Sequence, residues 1–250
     1  MRLVLGSDRH LQPAYVPEGD VYVEAGDMTF RGNVEETNKA IKYYVELKKR
    51  FKEVVLIAGN HDWLFEKNPT LARLLMKEAG LTYLEDSGIE IDGVSFYGSP
   101  WQPEFNSWAF NLSRFDGSLA ETWDKIPEGI DVLITHGPPQ NILDETAGYH
   151  EVTYARERYT PPEHVGCYDL AQRVKIVKPK VHVFGHIHHS YGSLVKDGTI
   201  FLNASVCNEK YKPVNPPFIV DIIDGKATLV DWVAQKEVEE IEKTLPKEWL

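Results

Sequence analysis

Five short apolar runs in this chain end in the same way, and that repetition restricts its fold more than any other feature. "GSDRH" follows Leu5, "AGDMT" follows Val23, "AGNHDW" follows Ile57, "THGPP" follows Ile134 and "GHIHH" follows Phe184. Each run reads as a buried strand, and each is followed by a residue able to bind a metal, commonly beside a glycine that lets the backbone turn. In open α/β sheets, ligands gather outside the carboxyl ends of the strands, so five such ends can converge on one spot. The last run is the densest: "KVHVFGHIHHSYG" holds His182, His186, His188 and His189, four of the nine histidines. Neutral imidazole is the commonest metal ligand.

The order of elements supports an α/β fold. Leu3 to Leu5 reads as a first strand and "DVYVEAGD", Asp20 to Asp27, as a second. Asn33 with Glu36 predicts a capped helix running to about Phe51. "EVVLIAGN" returns as a strand, and Asn68-Pro69 with Gly80 brackets a second helix. This βαβα rhythm predicts parallel strands. Asp92-Gly93, Asp197-Gly198 and Asp224-Gly225 are hairpin signals, which add antiparallel pairs and make mixed sheets. Beyond Trp232, Val238, Ile241 and Leu245 have helical spacing. Nothing divides residues 1–250, so one domain is expected.

Composition excludes several classes. A formal net charge of −11 argues against an extended nucleic-acid surface, which needs Lys and Arg to neutralise many phosphates. Two cysteines make no disulfide framework. No apolar stretch approaches the roughly 18 residues of a membrane span, and "MRLVLGSD" lacks a signal-peptide core, so a cytoplasmic protein is expected. The sequons at Asn111 and Asn203 then carry no weight.

The strand-end residues yield seven candidate ligands: Asp8, His10, Asp27, Asn60, His136, His186 and His188. In extended backbone, positions i and i+2 share a side, so Asp8 with His10, and His186 with His188, can each hold one ion while Arg9 and Ile187 point away. Seven oxygen and nitrogen donors exceed one tetrahedral site. They suit two ions roughly 3.5–4 Å apart sharing a carboxylate.

"SDRH", "GD", "GNHD", "THG" and "GHIH", in that order, resemble the signature blocks of the calcineurin-like metallophosphoesterase superfamily. "YGSPWQPEFNSWAFNL", "WDKIPEGIDVLITHGPP" and "NPPFIVDI" are similar to its brain and fetal-brain metallophosphoesterase-domain-containing branch, related to class III cyclic nucleotide phosphodiesterases. The resemblance implies a four-layer sandwich, two mixed β-sheets flanked by helices. It implies a first ion on Asp8, His10, Asp27 and His188, and a second on Asp27, Asn60, His136 and His186, with Asp27 bridging. Two departures stand out: Phe30 where many members carry a further acid, and Arg9 where a small or polar residue is commoner.

The expected activity is hydrolysis of small phosphodiesters, with cyclic nucleotides as candidates. Hydroxide bridging two divalent ions attacks in line, His61 is the general acid, and Asp62 orients His61. The donors suit manganese, with iron, zinc or cobalt as alternatives. A phosphomonoesterase or nuclease would share every ligand, and a nucleotide-binding scaffold could share the fold. His182, set between valines, reads as a packed strand residue, and His189 as a flanking one. Segment 140–165 is long enough to form a lid. His164 within it, and Asn111, are weaker candidates for substrate contact. The aromatic cluster Trp101, Phe105, Trp108 and Phe110 reads as core before stacking platform. The partner expected is a small phosphodiester or nucleotide, with no membrane and with a homo-oligomer open.

Overall fold

A computed structural model of the chain describes residues 1–153 and 156–230, with backbone alone over 149–153 and 156–159. Two six-stranded sheets dominate it. In the first, β1 (Arg2–Gly6), β2 (Val21–Glu24), β3 (Glu53–Leu56) and β4 (Thr82–Tyr83) run parallel, and β15 (Phe218–Ile223) and β16 (Lys226–Val230) add an antiparallel hairpin beside β1. In the second, β6 (Val94–Ser99), β9 (Val132–Thr135), β12 (Val181–Phe184) and β14 (Thr199–Asn203) are parallel, with β5 (Ser87–Ile91) and β13 (Gly192–Lys196) antiparallel at the edges. The small pair β7 (Gln102–Pro103) and β8 (Asn111–Leu112) and the hairpin β10 (Tyr149–Thr153) with β11 (Arg156–Thr160) lie outside the two sheets.

All three Asp-Gly signals are hairpin turns, joining β5 to β6, β13 to β14 and β15 to β16. Both central residues take the positive φ that a type I′ turn requires, as at Asp92 (48°) and Gly93 (78°).

The sheets pack face to face over one apolar layer. Leu3, Val23 and Val55 of the first sheet meet Phe96, Val132 and Val183 of the second, all fully buried. The outer face of the first sheet carries α1 (Val34–Lys48), α2 (Trp63–Lys67) and α3 (Pro69–Glu78), through Tyr44, Leu47, Phe65 and Met76. That of the second carries α4 (Ser118–Trp123) and α5 (Tyr168–Val177), through Trp123, Leu170 and Val174. The expected α/β/β/α sandwich is therefore the observed one. Helix α1 begins as predicted, with the Asn33 side chain accepting from the Glu36 N–H at 2.9 Å, but it stops three residues before Phe51. Asn68 caps α3 in the same way. The tail helix expected from Val238, Ile241 and Leu245 lies outside the described residues.

β1, β2, β3, β9 and β12 end at one rim of the sandwich. There the sheets are stitched together: the Ser7 N–H donates to the Ala204 carbonyl and the Val206 N–H to the Ser7 carbonyl. This seam brings ligands from both sheets to one place.

Candidate metal centre

Loops after β1, β2 and β3 carry Asp8, His10, Asp27 and Asn60, and loops after β9 and β12 carry His136, His186 and His188. The structure brings all seven together. Donor atoms of Asp8, His10 and His188 lie within 4.8 Å of one another, as do those of Asp27, His136 and His186. Asn60 Oδ1 stands 2.9 Å from His136 Nε2 and 2.7 Å from His186 Nδ1. Asp27 Oδ2 is 3.4 Å from His136 Nε2 and 3.7 Å from His10 Nε2, which places it between the two groups.

The local reason for this convergence differs from the extended-strand spacing predicted for Asp8/His10 and His186/His188. Asp8 (φ 55°), His10 (47°), Asp27 (54°) and His186 (68°) all take left-handed backbone, and His188 opens a short 3₁₀ turn. Such conformations cost energy in non-glycine residues and persist where surrounding structure fixes them. The adjacent glycines serve close approach more than turning. A Cβ on Gly185 would lie 1.8 Å from Asp8 Oδ2, and one on Gly59 would lie 2.3 Å from Asp27 Oδ1.

Three of the rings are aimed by backbone carbonyls. Nδ1 of His10 pairs with Thr29 O (2.9 Å), of His136 with Ala25 O (2.9 Å) and of His188 with Asn208 O (3.0 Å). A carbonyl only accepts, so each Nδ1 carries a proton and each Nε2 is turned to the centre, where a bound cation would take the place of any proton on it. Asp8 accepts from the His186 N–H and the Ser205 hydroxyl, both at 2.9 Å. The electrostatics suit cations. Burial works against the charge of Asp27 and Asp8, yet facing imidazoles hold both carboxyls well below their ordinary range. Against the same burial, Asp27 carries His136 up to about 9 and Asp8 carries His188 up to about 9. His186, dominated by burial, falls to about 3 and stays neutral. Buried carboxylates, imidazole rings that turn Nε2 (Nδ1 in His186) to the centre and an amide oxygen form a donor set that fits a pair of divalent ions.

Comparison with known proteins gives the family. Residues 6–190 match the family model described as calcineurin-like phosphoesterase. The chain belongs to the calcineurin-like phosphoesterase family. It is 37% identical over 247 residues to metallophosphoesterase domain-containing protein 1 of Homo sapiens, spanning 88% of this chain and 71% of that one. A UPF0046 protein of Caenorhabditis elegans is 37% identical over 235 residues, spanning 83% and 55%. The fold is similar to that of TT1561 of Thermus thermophilus, with a TM-score of 0.55 at 10% identity over 92% of this chain and 98% of that chain. Phosphoesterases of this family use divalent metal ions, and the Asp/His clusters here are able to bind them.

Above the centre of this phosphoesterase lies a cavity of about 720 Å³. His61 lines it. Its backbone N–H donates to Asp27 Oδ1 (2.8 Å), its Nδ1 is fixed by the Phe30 carbonyl (2.6 Å), and its Nε2 stands 3.9 Å from Asp27 Oδ2. Asp62 does not orient that ring as expected. Its carboxylate accepts from the N–H groups of Met28, Thr29 and Gly59 and from the Thr29 hydroxyl, tying the Asp27 loop to the Asn60 loop. Burial, reinforced by the charge of Asp27, raises Asp62 to about 6. Phe30, at the position where an acid is commoner, stacks on His10 and supplies the carbonyl that aims His61.

The two weaker substrate candidates are occupied elsewhere. Asn111 hydrogen-bonds the carbonyls of Phe105 and Asn106, and His164 pairs with buried Asp144 at 2.7 Å. Neither lines the cavity. Of the aromatic cluster, Phe110 is buried with Trp101 against it, whereas Phe105 and Trp108 line the cavity, Trp108 with its ring 4.3 Å from that of His61. His182 is fully buried, its Nε2 2.9 Å from the Thr135 hydroxyl, and His189 pairs with Glu209 at the surface. Ser205, Tyr211 and Arg114 were missed. Ser205 had a signal, since "ASV" follows β14 just as the candidate ligand loops follow their strands. Tyr211, whose ring meets His10 edge-on at 4.8 Å, and Arg114, held by the Val165 and Gly166 carbonyls, sit in loops without pattern.

No helix among the described residues is long and apolar enough to cross a membrane.

Proposed function

We propose that the protein hydrolyses small phosphodiesters, with cyclic nucleotides the first candidates. The observation that carries this reading is the sharing of Asp27 between two donor groups beneath a cavity into which His61 also points. Asp8, His10, Asp27 and His188 would hold one divalent ion, and Asp27, Asn60, His136 and His186 the other. When bound, such a pair draws charge from phosphoryl oxygens and makes water acidic enough to attack near neutral pH.

The chain's own residues do the rest. With Nδ1 protonated and held by the Phe30 carbonyl, His61 presents Nε2 to the cavity, where a protonated ring passes its proton to the departing alkoxide. Trp108 packs on the ring and keeps water from one face of it. Among the described residues, the cavity wall carries Glu104, Glu163 and Glu209 against one arginine, Arg114, and no lysine. This acidic wall disfavours long polyanions and supports a small, singly charged diester over a polynucleotide.

Manganese-loaded protein assayed in parallel on bis-p-nitrophenyl phosphate, p-nitrophenyl phosphate and the 2′,3′- and 3′,5′-cyclic nucleotides tests the proposal. Diester turnover well above monoester turnover is expected. Faster monoester turnover makes the enzyme a phosphomonoesterase, and tight nucleotide binding without turnover makes it a scaffold.

A further inference from the structure

Arg9 stands in sequence between Asp8 and His10, yet its side chain leaves the metal centre. The guanidinium turns toward α1, with its carbon 3.3 Å from the centre of the Tyr43 ring. Only 3% of the residue is exposed, and a charge so removed from water is costly unless paired. Its pairing is incomplete. Nη1 donates to the Gln12 carbonyl, and Nε is buried without a partner. Glu24 acts on it through space but forms no hydrogen bond to it.

Arg9 lines a cavity of about 510 Å³ together with Leu11, Pro13 and residues of α1, and none of the seven candidate metal ligands lines it. Leu11, Ile41 and Val45 give it apolar walls, and Lys39 and Lys42 of α1 stand at its mouth. Three cations around one opening are notable in a chain of net charge −11. We propose that this cavity is a second ligand site, distinct from the phosphoesterase centre, that takes a small amphipathic carboxylate. The head group completes the donor set of Arg9, and the apolar body lies along Leu11, Ile41 and Val45. A carboxylate matches the planar guanidinium fork. A phosphate dianion suits the site less well, because Glu46 is part of the lining and Glu35 already pairs with Lys39 at 2.8 Å. The occupied cavity braces a segment in which Asp8, His10 and Leu11 all hold positive φ, so the ligand is placed to act on the first group of metal ligands from behind.

Isothermal titration of the full chain with octanoate, in excess inorganic phosphate so that the metal centre is already occupied, tests the site. Saturable one-to-one binding is expected, weakened roughly tenfold or more by Arg9→Met, since hydrogen bonds to charged groups are among the stronger ones. The double variant Lys39→Glu/Lys42→Glu changes only exposed side chains of α1 and is expected to weaken binding several-fold with an unchanged circular dichroism spectrum. Absence of saturable binding overturns the proposal, as does its abolition by phosphate, which would put octanoate on the metal centre. Full affinity in folded Arg9→Met also overturns it. Should Arg9→Met fail to fold, undiminished affinity in the lysine double variant is equally decisive against it.

Discussion

Asp8 and Arg9 are neighbours in the chain and belong to two buried polar clusters of opposite character. On the cavity side, Asp8, His10, Asp27, Asn60, His136 and His188 each meet a backbone or side-chain partner supplied by another loop. On the side facing α1, Arg9 Nη1 donates to the Gln12 carbonyl, and the Tyr22 hydroxyl donates to Glu24 at 2.6 Å. Both clusters bear the cost of burying charge. The difference teaches that the cavity-side cluster is built to present lone pairs inward, with every other valence satisfied. The rear cluster leaves Arg9 Nε and Glu24 Oε1 buried without hydrogen bonds.

The contrast should show most strongly at the shared carboxylate. Asp27→Ala removes the group common to both donor sets, and elemental analysis after manganese loading should find far fewer than two ions per chain. Its activity loss should exceed that of every other variant described below. Retention of two ions would mean that the two donor groups do not depend on a bridge.

Next in size is His61→Ala. Its hydrogen bond to Asp27 comes from the backbone N–H, so the substitution keeps that bond, and both ions should remain while diester turnover falls by roughly 10² to 10⁴. Donor atoms of His10, Asp27 and His61 also lie within 4.8 Å of one another. Loss of one ion together with activity would therefore move His61 from proton donor to ligand. A diester with an activated leaving group such as p-nitrophenolate should be less affected than an alkyl diester, because it needs less help from an acid.

Asp62→Ala sharpens the claim that inward presentation depends on clamped loops. It leaves the N–H groups of Met28, Thr29 and Gly59 and the Thr29 hydroxyl without their buried acceptor, each at a cost of roughly 1–3 kcal/mol where water cannot reach. With each group at the low end of that range, a stability loss of about 4 kcal/mol is expected from urea unfolding, with metal affinity lowered roughly 10- to 100-fold, the range found when groups supporting ligands are removed. Unchanged metal affinity in a destabilised variant would show that the two loops hold their shape without the clamp.

How much of this is legible in the sequence follows the same division. Strand-end donors repeat a pattern, so the convergence of seven candidate ligands, the parallel strands and the three Asp-Gly turns can be read from the chain directly. The resemblance to a known family adds the four-layer arrangement. Local geometry is what escapes. Spacing of i and i+2 puts side chains on one side only in extended backbone, whereas Asp8, His10 and His186 are left-handed. Adjacency in sequence points Asp62 at His61, whereas its partners Met28 and Thr29 lie 34 and 33 residues away. Arg9 points away from the site as expected, but nothing in the sequence joins it to Tyr43 of α1 or to Glu24 of β2. Cavity-wall residues such as Tyr211 and Arg114 come from irregular loops, where neither periodicity nor spacing carries information.

The smallest expected effect concerns the rear cluster and is read in stability alone. Burial pushes Glu24 from an ordinary 4.5 up to about 7, against the pull of the Tyr22 hydroxyl and Arg9. A carboxyl whose folded value exceeds its unfolded one binds more protons in the native state between those values. Unfolding stability therefore falls as pH rises through that window: the contribution is intact below about 4.5 and lost as pH passes 7. A tenfold change in proton affinity is worth about 1.4 kcal/mol, so the whole span comes to about 3 kcal/mol. Glu24→Gln keeps an oxygen to accept from Tyr22 and removes the titration, so urea midpoints of the variant should change less between pH 5 and pH 8 than those of the wild type. The comparison is made in metal-free protein, so that titration of the ligand histidines contributes equally to both chains and cancels in the difference. Parallel curves would show that the rear cluster holds Glu24 ionised throughout, with Arg9 as its full counter-charge, and would remove the electrostatic distinction between the two faces of the Asp8–Arg9 step.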